Sequence, residues 1–105
     1  MKMITAVVNK YDANAVQVAL TGGGFSVTKL ATSGGFLKSG NTTFLIGVED
    51  DRLDICLDII KQYSSRRSEA MPEYAGYNEE MTVPSEVTVG GATIFVTNVE
   101  QFEKF

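Results

Sequence analysis

The segment NTTFLIGVEDDRLDICLDIIKQYSSRR, residues 41–67, contains a strand pattern followed at once by a helix pattern. Residues 41–48 alternate between two faces of a predicted strand, with Phe44, Ile46 and Val48 on one face and Thr43, Leu45 and Gly47 on the other. Over 49–67 the apolar side chains recur at helical spacing, at Leu53, Cys56, Leu57 and Ile60. We expect Asp50 or Asp51 to cap this helix, because a carboxylate accepts hydrogen bonds from its first free N–H groups.

Outside this segment the patterns predict a second helix and four further strands. The helix is predicted over 15–22, with Asp12 or Asn14 as its N-cap. Gly22-Gly23-Gly24 is expected to end it, since glycine adopts left-handed backbone without steric cost. The strands are predicted at 2–8, 25–32, 82–89 and 92–99. The last two are predicted to form a hairpin through Gly90-Gly91.

One segment shows neither the helical nor the strand repeat of apolar residues. Residues 64–81 are interpreted as a long loop, and we expect flexible loops at about 33–41 and 64–82. The C-terminal EQFEKF, with Phe102 and Phe105, is interpreted as a short turn packed against the body of the protein. The whole chain, 1–105, is expected to form a single domain.

The predicted element order is β-α-β-β-α-β with the last strand elaborated as a hairpin, which indicates an α+β, ferredoxin-like fold. Such a fold has an antiparallel sheet with both helices on one face. The other face of the sheet would carry Thr43 and Leu45, neither of which is strongly polar. We therefore expect a closed oligomer that buries this face.

Composition excludes several classes of function. The chain has a net charge of −4, and broad nucleic-acid binding needs a basic face, so we expect no DNA or RNA partner. It has no histidine, the commonest general base and metal ligand, and no acid/base pair or nucleophile stands out, so a small ferredoxin-like enzyme is a disfavoured alternative and we expect no metal or cofactor. No apolar run is long enough to span a bilayer, and the single Cys56 forms no intrachain disulfide. A cytoplasmic location without membrane insertion is expected.

The segment TSGGFLKSG, residues 32–40, combines free backbone with an aromatic ring. Its glycines can turn N–H groups toward an anion, and Phe36 can stack on a base. It matches neither a Walker loop nor a dinucleotide fingerprint. A nucleotide pocket is one interpretation. The other is a small loop core in which Phe36 and Leu37 pack on each other, and composition alone slightly favours that reading.

Three longer segments carry a resemblance to a known family: TKLATSGGFLKSGNTTFLIGVEDDR (28–52), VGGATIFV (89–96) and MKMITAVV (1–8). They closely resemble the PII-like cyclic di-AMP receptor family of Gram-positive bacteria. The resemblance covers nearly the whole chain and is weakest at 64–85. It implies a ferredoxin-like homotrimer that binds the second messenger cyclic di-AMP in clefts between subunits, without catalysis. It also implies that ligand orders a loop and so signals to a downstream partner protein.

The resemblance also assigns a ligand site. Gly35, Phe36 and Leu37 match residues that border the adenine and phosphate, while Gly47 matches a strand position that must stay small. Lys29 is included for its local positive charge. The predicted ligand-binding residues are Thr28, Lys29, Gly35, Phe36, Leu37, Asn41, Gly47, Gly91, Ala92 and Phe95.

The chain departs from the family pattern at three places. Ser26 stands where an arginine is usual, the 64–85 segment is shorter and contains MPEYAGYNEEM, and Lys104 precedes Phe105 where the family commonly ends in HQF. Lys104 and Arg67 are candidates to compensate for the missing charge. Two alternatives therefore stand beside a cyclic di-AMP receptor. They are a PII-like sensor of another adenine nucleotide, such as ATP or AMP, and a trimeric scaffold that has lost ligand binding.

Overall fold

The computed structural model describes residues 1–30, 40–65, 67–70 and 86–105. Its helices and strands are β1 Lys2–Asn9, α1 Lys10–Gly22, β2 Val27–Leu30, β3 Asn41–Val48, α2 Leu53–Ser64, β4 Arg67–Ala70, β5 Glu86–Val89 and β6 Ala92–Asn98. A 3-10 turn over Asp50–Arg52 leads into α2.

The main sheet has four antiparallel strands in the order β2-β3-β1-β6. Strands β3 and β1 occupy the centre and pair along their full lengths, from Lys2 opposite Val48 to Asn9 opposite Asn41. Both helices pack on one side of this sheet. The result is a small α+β domain compatible with a ferredoxin-like fold, as the element order predicts.

The core lies between the helices and one face of the main sheet, which we call the covered face. Its fully buried apolar residues are Ile4, Ala6 and Val8 of β1, Phe44 and Ile46 of β3, Val16 and Leu20 of α1, and Cys56 and Ile60 of α2. The predicted strand 41–48 is confirmed, and its apolar side faces the helices. Burial of this set from water is the main favourable term in the folding of the chain.

Helix α1 begins earlier than predicted. Asn9, the last residue of β1, is its N-cap and accepts a 2.9 Å hydrogen bond from the backbone N–H of Tyr11. The predicted start at residue 15 and the caps Asp12 and Asn14 are therefore wrong, because strand and helix follow each other without a loop. The predicted glycine end is confirmed, since the N–H of Gly23 donates to Ala19 and Leu20, and Gly24 has a φ of +87°.

Helix α2 is entered through the 3-10 turn rather than through a carboxylate cap. Neither Asp50 nor Asp51 caps it, so that prediction is wrong. Asp50 instead lies 3.1 Å from the α-amino group of Met1, whose hydrogen bond and charge lower the pKa of this carboxyl. The guanidinium of Arg52 donates to the carbonyl of Gly23 at 2.9 Å and lies 4.3 Å from the ring centroid of Phe25. Arg52 thereby joins the start of α2 to the end of α1.

The predicted hairpin between the last two strands is wrong. Strand β5 pairs with β4 in a separate two-stranded sheet, whereas β6 pairs with β1 in the main sheet. Gly90 and Gly91 have φ values of +82° and +89°, so they do turn the chain. Each strand then takes a different partner, because β4 begins soon after α2 and β1 offers an unpaired edge.

Several element boundaries also differ from prediction. Helix α2 ends at Ser64 rather than at 67, and four residues of the predicted 64–81 loop form β4. Strand β2 begins at Val27 rather than at 25, and β6 ends at Asn98. Residues 31–32, most of the predicted loop at 33–41, and 71–85 lie outside the described residues.

The C-terminal prediction fails too. Residues 101–105 form no regular structure, Phe102 is 64% exposed and Phe105 has no shielding from its own chain. No helix within the described ranges combines the length and apolarity needed to cross a membrane.

Candidate functional site

The face of the main sheet away from the helices, which we call the open face, carries mixed polar and apolar residues. The strand registers place one row across it, from Thr28 on β2 through Leu45 and Thr5 to Phe95 on β6. Phe95 is 53% exposed, and Leu45 and Thr5 are half-buried. Apolar surface therefore remains accessible on this face.

The predicted site residues fall into two groups on the main sheet. Thr28 and Gly47 lie on the β2-β3 side of the open face. Gly91, Ala92 and Phe95 lie at or in β6, which is the opposite edge. Three strand spacings separate β2 from β6, or about 14 Å. A single chain does not bring Thr28 and Phe95 into contact.

Gly47 has no structural need to be glycine in this chain. Its φ is not positive, and a Cβ built on it meets no atom within 4 Å. It is also exposed. A small residue here leaves the surface of β3 open to whatever approaches from outside the chain.

Lys29 lies on the opposite side of β2 from Thr28, because Thr28 pairs with Leu45 and Lys29 pairs with the core residue Phe44. Lys29 is exposed. The two residues can contact one ligand only around the free edge of β2.

A cavity of about 620 Å³ lies where α2 ends beside the sheet. It gathers three predicted site residues, Asn41, Gly91 and Ala92, although they come from different strands or turns. A volume in this range accommodates a nucleotide-sized ligand. The structure thus places Asn41 in one cavity with Gly91 and Ala92, which lie far from it in the sequence.

The floor of the cavity is tied together by hydrogen bonds from α2. The backbone N–H of Gly91 donates to the carbonyl of Ser64, and the Ser64 hydroxyl donates to Ile60. Ser64 is almost fully buried, at 1% exposure. The bond from Gly91 holds the Gly90–Gly91 turn against the last turn of the helix.

Gly35, Phe36 and Leu37 lie outside the described residues. The residues that flank this stretch, Leu30 and Gly40, lie at the same end of the sheet as the cavity, since Leu30 pairs with Thr43 and Asn41 pairs with Asn9. The backbone N–H of Lys10 donates to the carbonyl of Gly40 at 2.8 Å.

Sequence reasoning missed the contribution of α2 to the cavity. Lys61, Ser64 and Ser65 line it, together with Thr93 of β6. Lys61 had the signal of a charged helix terminus, and only the three-dimensional arrangement places it in the lining of the same cavity as Asn41. Ser64 and Ser65 carried no distinguishing pattern.

The described residues have one thiol, that of Cys56. They contain no cluster of three or more His, Cys, Asp or Glu side chains able to hold a metal. Cys56 is fully buried, and this burial raises the pKa of its thiol to about 11, so it remains protonated at neutral pH.

Two comparisons with known proteins bear on this arrangement. A family model described as cyclic-di-AMP receptor matches residues 1–105. A crystal structure of a functionally unknown protein from Pediococcus pentosaceus ATCC 25745 is 44% identical and superposes with a TM-score of 0.81. That alignment covers 99% of this chain and 96% of the other.

Proposed function

The chain belongs to the cyclic-di-AMP receptor family, and on that premise we propose that it is a non-enzymatic receptor for this second messenger. The ligand would bind between subunits of a PII-like homotrimer. The receptor would form one domain, act in the cytoplasm and use cyclic di-AMP as ligand rather than any cofactor.

The observation that carries the shared site is the separation of Thr28 from Phe95. The two residues occupy one row of the open face but opposite edge strands, β2 and β6. In a closed ring of identical subunits two different patches meet, and we propose that these are the β2 side of one copy and the β6 side of the next. A site that uses both groups is then complete only where two copies meet.

The exposure of β6 supports assembly through this edge. Phe95 is 53% exposed and Val96 is 41% exposed, and the outer side of β6 has no strand partner among the described residues. An exposed apolar edge strand favours association with another chain. Phe102 and Phe105, which follow β6 in the chain, add further exposed aromatic surface.

The chemistry of the proposed site suits a cyclic dinucleotide with two adenines and two phosphates. The Asn41 amide and the backbone near Gly35 would offer donors to phosphate. Phe36, Leu37 and Phe95 offer apolar cover to adenine. Thr28 adds a hydroxyl, and Ala92 and Gly47 leave room for the ligand.

Signalling is proposed to act through the loops. We propose that ligand bound by residues 35–37 orders the loop at about 33–41. The ordered loop would present a new surface to a downstream protein.

One feature favours a second candidate, a PII-like sensor of another adenine nucleotide. Ser26 is exposed and neutral where the family pattern has an arginine, so one phosphate contact differs. A trimeric scaffold without a ligand is the remaining alternative.

Isothermal titration separates these functions. We expect saturable binding of cyclic di-AMP near one per subunit, with no comparable heat from ATP, AMP or cyclic di-GMP. Preferential binding of ATP or AMP would establish the second candidate instead. No heat from any nucleotide would leave the scaffold.

Phe36→Ala tests where adenine stacks. Loss of a base–aromatic contact costs about 1–3 kcal/mol, so we expect clearly weaker binding of cyclic di-AMP while oligomer size stays unchanged. Unchanged affinity would contradict the assignment of Phe36.

A further inference from the structure

We propose that the ammonium group of Lys61 is the counter-charge for a phosphate of the bound nucleotide. This inference rests on the proposed function and adds to it a residue that the sequence pattern did not assign. Lys61 lies in the last turn of α2 and lines the cavity together with Asn41, Gly91 and Ala92.

The charge balance of the cavity supports this role. Among the described residues that line it, Lys61 is the one with a charged side chain, and none has a carboxylate. The ammonium is exposed and makes no ion pair or hydrogen bond within the described part of the chain. Because the protein carries a net charge of −4, a local cation is needed to make an anion favourable at this place.

Several polar hydrogens of the cavity residues are already donated within the chain. The single hydroxyl protons of Ser64 and Ser65 are donated to Ile60 and Lys61 carbonyls of the helix itself. The N–H of Gly91 is donated to Ser64. These cavity residues therefore have few protons left for a ligand.

The donors that remain for an anion are chiefly the Asn41 amide, the Thr93 hydroxyl and the Lys61 ammonium. A charged donor forms roughly twice as strong a hydrogen bond to phosphate as a neutral one. Lys61 is thus the strongest phosphate donor that the described cavity contains.

The ordinary role of a lysine near a helix C-terminus is to complement the helix dipole. That role predicts an effect on stability alone. A phosphate contact predicts an effect on ligand affinity that depends on ionic strength, because the ion pair is screened by salt. The two roles are therefore separable by measurement.

The test compares Lys61→Gln and Lys61→Arg with Lys2→Gln. The control removes the same charge far from the cavity. Lys2 is the first residue of β1, whereas the cavity lies at the other end of that strand, and among the described residues Lys2 bonds only to the side chain of Asn98. Cyclic di-AMP affinity is measured at low and high salt, and thermal unfolding is measured without ligand.

We expect Lys61→Gln to bind cyclic di-AMP about tenfold more weakly at low salt, since charged hydrogen bonds contribute more than neutral ones. Its affinity should depend less on salt than that of the wild type. Lys61→Arg should retain most of the affinity, and Lys2→Gln should match the wild type.

Two results would overturn the inference alone. One is wild-type affinity and salt dependence in Lys61→Gln. The other is an equal loss of affinity in Lys2→Gln, which would indicate a general charge effect. A wild-type protein that binds no cyclic di-AMP would instead overturn the proposed function, and the role of Lys61 with it.

Discussion

The two faces of the main sheet are built from the same four strands but differ in what covers them. On the covered face, Ile4, Phe44 and Ile46 have no exposure, because both helices pack on them. On the open face, Phe95 keeps 53% exposure and Leu45 stays half-buried. The covered face therefore supplies the burial that folds one chain, and the open face retains apolar surface for recognition.

The strongest challenge to this contrast is Phe44→Ala. Phe44 is fully buried between the sheet and the helices, so its truncation leaves a cavity and should cost about 3–5 kcal/mol of unfolding free energy. Urea denaturation measures this loss. A cost below about 1 kcal/mol would mean that the covered face does not dominate folding.

Phe95→Ala is the matched change on the open face. Because the Phe95 ring is half-exposed in one chain, far-UV circular dichroism should be unchanged. If the ring is a buried anchor between copies, assembly and cyclic di-AMP binding should each weaken by about 2 kcal/mol. Analytical ultracentrifugation and titration give the two readouts. Loss of helical signal with normal assembly would reverse the roles of the two faces.

The pH dependence of stability tests how well the core beneath the covered face excludes water. Burial raises the pKa of the Cys56 thiol from 9.0 to about 11 in the folded protein. The stabilisation is complete below the unfolded pKa and is lost as the pH rises through the folded value, by about 3 kcal/mol in total.

Cys56→Ala isolates this effect. Between pH 9 and 11 the wild type should lose more stability than the variant, because other alkaline titrations are common to both. Parallel pH profiles would show that the thiol is not desolvated. Native Cys56 should likewise resist a thiol reagent until the protein unfolds.

Thr43→Val addresses a residue that does not fit the simple division between faces. Thr43 lies on the open face by register yet is only 2% exposed, and its hydroxyl has no hydrogen-bond partner among the described residues. Removing an unpaired buried hydroxyl without changing shape should stabilise the fold by up to about 1 kcal/mol. Destabilisation would indicate a partner for this hydroxyl.

Much of the fold follows from local patterns. The alternation in 41–48 predicts β3 and its inward face, and the glycines at 22–24 predict the end of α1. These features depend on neighbouring residues only. The α1 cap was missed because Asn9 serves as both the end of a strand and the cap of a helix.

Pairing partners could not be predicted in the same way. Gly90-Gly91 has the backbone of a turn, but whether β5 pairs with β4 or β6 depends on which free edges lie nearby in space. The candidate site has the same limit. Its polar residues were visible in the sequence, whereas Lys61 and Asn41 come to line one cavity only through the packing of α2 on the sheet.

The central claim is that the ligand site is shared by two copies, and subunit complementation tests it most directly. Gly47→Leu should block the β2-β3 half of the site without strain, since a Cβ there meets nothing within 4 Å. Phe95→Ala removes the β6 half. Each variant is titrated with cyclic di-AMP alone, and then both are titrated after refolding as a mixture, at a concentration where both are assembled.

In equal mixtures, about a quarter of the interfaces would join an intact β2-β3 side to an intact β6 side. The account predicts that high-affinity binding returns at about that fraction of sites, although neither variant alone shows it. No recovery in mixtures shown to contain both chains would contradict a shared site and place the ligand within one chain.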